Sequence, residues 1–193
     1  MNVLVIGQGG REHAIVRALR LSPSVKEVHA LPWSDGIAKE ARCHIIDWRS
    51  GSEVEALIDR ESIDLVVIGP EGPLEVGLSD RLRAKGVSVF APSSAAARLE
   101  SSKIFSKKFM REAGVPTARF EVVDSVAKLK EASATFKAPY VLKADGLAAG
   151  KGVFICKTEA ELLDAGRSIF EDRTLGEAGA EADEVEEERV VEE

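Results

Sequence analysis

Two short runs, Val3-Leu-Val-Ile6 and Leu65-Val-Val-Ile68, contain only aliphatic residues, and each ends on a glycine, Gly7 or Gly69. A strand with no polar side chain on either face must be covered on both faces, which happens in open parallel sheets clothed by helices. The chain between and after these runs supplies the helices. Arg11–Leu21 has helical spacing, with Ala14, Ile15, Ala18 and Leu19 on one face. Ser52 and Glu55 form a capping box for a helix through Arg60, and Leu78–Lys85 reads as a third helix. Further strands are expected at Val25–Leu31, Cys43–Asp47 and Val87–Phe90, and Asp64 opens the strand that ends at Ile68. This alternation, with short Gly and Pro turns, makes the first half an α/β open parallel sheet.

A helix is expected from about Ser102 to Ala113, stopped by Gly114 and Pro116. The pattern then changes. Arg119–Val123, Tyr140–Ala144 and Val153–Cys156 read as strands, and Ser125–Ala134 reads as a helix. Thr158 and Glu161 cap another helix, which reaches about Phe170. A domain boundary is expected within Ala91–Thr117. Residues 1–100 then form one domain, 101–118 a helix and linker, and 119–193 a smaller α+β subdomain. The acidic run Glu181–Glu188 is either solvated or disordered. Arg189–Glu193 reads as a strand whose partners lie beyond this sequence. No internal repeat is visible.

The bulk numbers exclude several classes. The net charge of −7 opposes a general nucleic-acid surface, because phosphate binding by whole-protein charge needs the opposite sign. Cys43 and Cys156 stand far apart and outside any C-x-x-C, so neither a zinc site nor a disulfide framework is indicated. The opening MNVLVIGQGG lacks the form of a signal peptide, and no apolar run approaches the roughly 20 residues of a membrane span. A cytoplasmic protein without membrane or nucleic-acid partners is the expectation. His13, His29 and His44 lack metal-ligand spacing and are assigned to packing or solvent. Trp33 and Trp48 read as core or loop anchors.

Two glycine-rich turns carry the chemistry. Strand, loop, strand over Val141–Cys156 is a hairpin, and Gly152 stands where a P-loop needs Ser or Thr before a helix, so a P-loop is rejected. Gly146, Gly150 and Gly152 still let backbone N–H groups approach an anion, and Lys143 and Lys151 add positive charge for a polyphosphate. An ordinary long hairpin with incidental lysines is the alternative. The other turn, Gly7-Gln-Gly-Gly-Arg-Glu-His13, follows a strand and opens a helix, a setting that favours a phosphate. A dinucleotide site would need glycine in place of Glu12 and an acidic residue near His29–Leu31, and both are missing. A monophosphate site is the first reading, a purely structural turn the second and a dinucleotide site the last. Glu71, in Gly69-Pro-Glu-Gly-Pro73, stands at the carboxyl end of a strand, where ligands of such sheets bind. It can serve a ribose hydroxyl or an amine, or it can face water.

Four stretches taken in order carry a resemblance. They are Val5-Ile-Gly-Gln-Gly-Gly-Arg-Glu-His-Ala14, Val67-Ile-Gly-Pro-Glu-Gly-Pro-Leu74, Leu99-Glu-Ser-Ser-Lys-Ile-Phe-Ser-Lys107 with Gly114-Val-Pro-Thr117, and Lys143-Ala-Asp-Gly-Leu-Ala-Ala-Gly-Lys-Gly-Val153. Together they resemble the glycinamide ribonucleotide synthetases, or phosphoribosylamine–glycine ligases, of the ATP-grasp superfamily, from residue 1 to about Gly179. Leu31-Pro-Trp-Ser-Asp-Gly36 departs from the family's A-P-G-N-x-G, and the Glu-rich tail departs after Gly176-Glu-Ala-Gly179.

The resemblance implies a Rossmann-like first domain followed by an incomplete ATP-grasp domain. It implies an ATP-dependent ligase of purine biosynthesis that joins glycine to 5-phosphoribosylamine through a glycyl phosphate, with no side-chain nucleophile or base. Lys103, Lys143, Asp145, Gly146, Gly150, Lys151, Gly152, Glu192 and Glu193 would then contact ATP. Gly9, Gly10, Arg11, Glu12, Pro70 and Glu71 would contact phosphoribosylamine. Family members run to about twice this length. Magnesium or manganese ligands and the glycine site are therefore expected outside these residues, and no turnover is expected from them alone. An intact enzyme of this kind is expected to be monomeric. Another ATP-grasp ligase of purine precursors and a non-catalytic nucleotide-binding module are the alternatives.

Overall fold

The computed structural model describes residues 1–146, 152–171 and 189–192, the last four by backbone pairing alone. The chain divides into two compact units, Met1–Ala97 and Arg98–Glu193.

The first unit is built on a five-stranded parallel sheet of order β3-β2-β1-β4-β5. Its strands are β1 (Asn2–Ile6), β2 (Glu27–Leu31), β3 (Arg42–Cys43), β4 (Leu65–Ile68) and β5 (Ser88–Phe90). The aliphatic runs behave as strands covered on both faces must. Val3, Leu4, Val5 and Ile6 have no exposed surface, and their period of two sends them into different clusters. Leu4 and Ile6 join Leu31, Val66 and Ile68 against Val54 and Leu57 of α2 (Gly51–Arg60) and Leu82 of α4 (Leu78–Ala84). Val3 and Val5 join Val28, Ala30 and Val67 against Val16 of α1 (Gly10–Arg20). Each such side chain contributes roughly 2 kcal/mol on burial.

Three local expectations change. The third strand shrinks to Arg42–Cys43, and its pairing ends where the His44 N–H donates to the Ala30 carbonyl at 2.8 Å. The Ser52–Glu55 capping box does not form. The helix begins two residues earlier, behind Ser50, and the Glu55 carboxylate instead takes Arg81 of α4 and Lys85 at its C-terminal end. Charge-assisted bonds to two cations outcompete one backbone N–H. Two helices, α3 (Glu71–Glu75) and α5 (Ser94–Ser101), lie where the sequence shows only turns and a boundary. The Asp80 carboxylate fixes the start of α5 by accepting from the Ser94 N–H at 2.8 Å and its hydroxyl at 2.6 Å.

In the second unit, a four-stranded antiparallel sheet has the order β6-β9-β7-β8. It comprises β6 (Phe120–Val123), β7 (Tyr140–Ala144), β8 (Val153–Cys156) and β9 (Arg189–Glu192). Helices α7 (Val126–Ser133) and α8 (Glu159–Phe170) supply Leu129, Ala132, Leu162 and Ile169 to a core with Leu142, Ala144 and Cys156. Their starts follow the sequence signals. The Ser125 hydroxyl accepts from Lys128 N–H at 3.3 Å and the Thr158 hydroxyl from Glu161 N–H at 3.2 Å. The strand Arg189–Glu192 finds its partners within the chain, filling the ladder between β6 and β7 and correcting the expectation of partners elsewhere. The remaining helix, α6 (Lys103–Glu112), ends before Gly114, whose φ of +67° is the left-handed conformation that stops helices. Lys107 is buried on α6 and donates to the Thr117 hydroxyl at 2.8 Å, which ties down the exit turn. Among the described residues no helix is long and apolar enough to cross a membrane.

Candidate substrate and nucleotide sites

In the first sheet β1 and β4 are neighbours, with β2 and β3 continuing to one side and β5 to the other. The crevice beyond their carboxyl ends is where the strand order reverses, the usual ligand position in such sheets. Gly7 and Gly69 stand at those ends, and the Glu12 side chain fills the space between them. Glu12 is 3% exposed. Its Oε2 accepts from the Gly9 N–H at 2.8 Å, and its Oε1 accepts from Arg11 Nε at 2.8 Å. A Cβ at either Gly7 or Gly69 would lie 2.7 Å from Glu12 Cδ. These glycines therefore make room for a carboxylate, not for a pyrophosphate, which is the physical content of the failed dinucleotide pattern.

Arg11 reaches further. Its two terminal nitrogens lie 3.4 and 3.5 Å from Oε1 of Glu71, the first residue of α3. The bond to Glu12 holds the Arg11 proton more tightly than usual. Pro70 precedes α3 in extended conformation, with its Cδ 2.8 Å from where a Gly7 Cβ would be. Gly10 is open, since a Cβ there would meet nothing within 4 Å. Gly9, Gly10, Arg11, Glu12, Pro70 and Glu71 thus converge on one crevice. The departing segment Leu31–Gly36 carries a half-exposed Trp33, whose Nε1 donates to Asp35 at 3.1 Å. A Cβ at Gly36 would lie 3.2 Å from His13 Nδ1, and His13 Nε2 meets Glu40 at 3.1 Å.

The second set gathers at the base of the β7–β8 hairpin. Along β7, Tyr140, Leu142 and Ala144 face the helices, so Val141 and Lys143 face the other way, half-buried. Lys143 pairs across the ladder with Val153. Beyond β7 the Asp145 carboxylate caps α6. One oxygen accepts from Lys103 N–H at 2.6 Å and Ile104 N–H at 3.1 Å, and the other accepts from the Ser102 hydroxyl at 3.0 Å. The Lys103 ammonium returns to the Gly146 carbonyl at 2.8 Å. Gly146 has φ of +86°, where glycine is needed, and Ala144 N–H to Gly152 carbonyl at 2.8 Å closes the hairpin base. Lys103, Lys143, Asp145, Gly146 and Gly152 are thus brought together. Asp145 is occupied by α6, a role that the sequence conceals because helix and carboxylate are far apart in the chain. Gly150, Lys151 and Glu193 lie outside the described residues, as does the acidic run 181–188. Glu192 pairs through its backbone with Val141 and Phe120.

A further titratable pair, His29 and His44, lies within the first unit. His29 is fully buried on β2, stacked on His44 with ring centroids 5.3 Å apart and facing nitrogens 3.0 Å apart. Burial lowers the pKa of both rings. Among the described residues no three His, Cys, Asp or Glu side chains are grouped to hold a metal ion, so these residues do not fit a metal centre by themselves.

Comparison with known proteins covers the chain end to end. Residues 1–100 match the family model described as phosphoribosylglycinamide synthetase, N domain. Residues 101–192 match the model described as phosphoribosylglycinamide synthetase, ATP-grasp (A) domain. The phosphoribosylamine–glycine ligase of Streptomyces coelicolor is 52% identical over 155 residues, 80% of this chain and 37% of that protein. The Ralstonia nicotianae ligase is 42% identical over 93% of this chain and 43% of its own length. A crystal structure of the Thermotoga maritima phosphoribosylamine–glycine ligase superposes with a TM-score of 0.77 at 32% identity, covering all of this chain and 44% of that one. The biotin carboxylase domain of a Hydrogenobacter thermophilus 2-oxoglutarate carboxylase shares the fold alone, with a TM-score of 0.75 at 19% identity over 99% of this chain and 43% of that one. The chain thus spans less than half the length of these relatives. It belongs to the phosphoribosylglycinamide synthetase family.

Proposed function

We propose that this chain is the part of an ATP-dependent ligase of purine biosynthesis that receives 5-phosphoribosylamine and the phosphates of ATP. The observation that supports this best is that one chain carries both family domains in succession over residues 1–192. In this reading, the open Gly10 and Arg11 face the ribose phosphate and Glu71 faces the hydroxyls or the amine. Lys103 and Lys143 hold the α/β-phosphates, and the hairpin from Gly146 to Gly152 shields the phosphoryl group.

The γ-phosphoryl group passes to the carboxylate of glycine, giving glycyl phosphate and ADP. The amine of phosphoribosylamine then attacks the acyl carbon. The C–O bond to phosphate breaks, an amide forms, and the amine gives up a proton. This sequence needs no side-chain nucleophile. The chain contributes alignment and charge stabilisation, the two largest levers in phosphoryl and acyl transfer. Magnesium or manganese would be held by residues outside those described. Residues 1–193 alone bind ATP weakly and do not turn over, and the intact enzyme is a monomer using free glycine and phosphoribosylamine.

The test is Lys143→Ala in a full-length ligase carrying this sequence. Loss of one positioned cation at a developing charge predicts a fall in kcat/KM of about a hundredfold. Unchanged turnover with unchanged ATP affinity would contradict the assignment.

A further inference from the structure

Arg11 is held at two ends by carboxylates of very different burial. The Glu12 side chain is 4% exposed, and its ion-pair partner is Arg11 Nε at 2.8 Å. The Arg11 side chain is itself 55% exposed, and its far edge leans on a Glu71 that is 39% exposed. Those outer contacts, at 3.4 and 3.5 Å, exceed the usual N–H···O range. A buried carboxylate that loses its cation is costly, so the Nε contact is the fixed end of this arm. A guanidinium pinned through Nε still presents its remaining donors in one rigid plane. Gly10, beside it, leaves open space where a ligand atom can sit.

We propose that Glu12 is a positioning residue that pins Arg11 so that its outer edge passes from Glu71 to the phosphate of a sugar monophosphate. This rests on the reading of the first unit as the phosphoribosylamine side of the ligase. A phosphate monoester carries more negative charge than the carboxylate it displaces, so it competes better for the same guanidinium edge. Glu71, released, faces the other end of the ligand and accepts from its hydroxyls or amine. The pair thereby selects a ligand that is anionic at one end and hydroxyl- or amine-bearing at the other. Gly7, Gly9 and Gly69 serve the same end, since a Cβ at any of them would lie within 3 Å of the Glu12 side chain.

The test uses the 193-residue chain, isotope-labelled, titrated with ribose 5-phosphate while the Gly10 amide and Arg11 Nε–H resonances are followed. Arg11→Ala is expected to weaken binding about tenfold, the scale of one charge-assisted contact. In a Glu12→Ala background the same change is expected to cost less than about threefold, because residues in contact are not additive. Glu71→Gln keeps an acceptor for the hydroxyls of ribose 5-phosphate while removing the anion that competes for Arg11, so it is expected to tighten binding severalfold. An equal cost of Arg11→Ala in both backgrounds would overturn the positioning role. So would no cost in either background while the Gly10 amide still responds, and in both cases the site itself would stand. No response at Gly10 or Arg11 in the unsubstituted chain would overturn the reading of the unit and the inference with it. If the amide spectrum shows that Glu12→Ala does not fold, Glu12→Gln keeps the volume, removes the charge and takes its place with the same expected direction.

Discussion

Asp145 accepts the backbone N–H of Lys103 at 2.6 Å, although the two residues stand 42 positions apart in the chain. The same carboxylate takes the Ile104 N–H, while the Ser102 hydroxyl takes the Phe105 N–H at 3.0 Å. The first turn of α6 is thus capped from the end of β7, and the helix that carries Lys103 is bound to the strand that carries Lys143. Two cations assigned to one polyphosphate sit on a joined support.

Asp145→Ala should therefore destabilise the chain by about 1–2 kcal/mol, the usual cost of losing a helix N-cap. Asp145→Asn should cost less, since its amide oxygen can still accept from Lys103 and Ile104. Urea denaturation followed by circular dichroism checks this. An unchanged midpoint for the alanine variant would show that water replaces the cap without loss.

Gly69→Ala should cost about 1–3 kcal/mol, the range for overpacking a filled space. The added methyl would lie 2.7 Å from both Cγ and Cδ of Glu12. In a Glu12→Ala background the penalty should largely disappear, as coupling between touching groups requires. Equal penalties in both backgrounds, measured by thermal unfolding, would mean that the glycine serves the backbone and not the carboxylate.

Much of this arrangement was legible in the residues. Val3–Ile6 and Leu65–Ile68 announce a sheet covered on both faces because every side chain in them is apolar, and both runs are buried strands. The Glu12 position was informative for the same kind of reason, since a carboxylate where a dinucleotide turn needs glycine changes what the turn can hold. Other features depend on contacts between distant residues. Glu55 signals a capping box locally, yet Arg81 and Lys85 take it once α2 and α4 are adjacent. Asp145 enters the sequence reading only as an ATP contact implied by the resemblance, and becomes a helix cap only when the end of β7 meets Ser102 and Lys103. The strand Arg189–Glu192 sits in a charge run, and only the gap between β6 and β7 gives it partners.

Stability should fall as pH drops below about 6.5, the pKa of a solvated imidazole. His29 and His44 have lowered pKa values, first from burial; at His29 Glu61 and Glu27 oppose this and Arg42 adds to it, and at His44 the His29 ring, Arg42 and Arg60 add to it while Glu61 opposes it. The unfolded chain then binds more protons than the folded one, so this contribution is fully present above the unfolded value and is lost as pH falls through the folded values. The slope is at most about 1.4 kcal/mol per pH unit for each ring. His29→Phe should flatten the dependence between pH 7.5 and 5.5, as read from urea midpoints. A slope unchanged by that substitution would assign the effect elsewhere.

Residues 1–193, purified and supplied with ATP, magnesium, glycine and phosphoribosylamine, should release no glycine-dependent phosphate. A colorimetric phosphate assay with and without glycine checks this. Sustained release would place the whole catalytic apparatus within this chain.

The proposed ligase requires that the second unit hold the triphosphate, through Lys103, Lys143 and the hairpin that begins at Gly146. This is tested most directly by a crystal structure of the chain soaked with a non-hydrolysable ATP analogue. Phosphate oxygens are expected within hydrogen-bond distance of both lysine ammonium groups. A nucleotide bound instead over Gly9 and Gly10 of the first unit, with Lys103 still on the Gly146 carbonyl and no phosphate near Lys143, would contradict it.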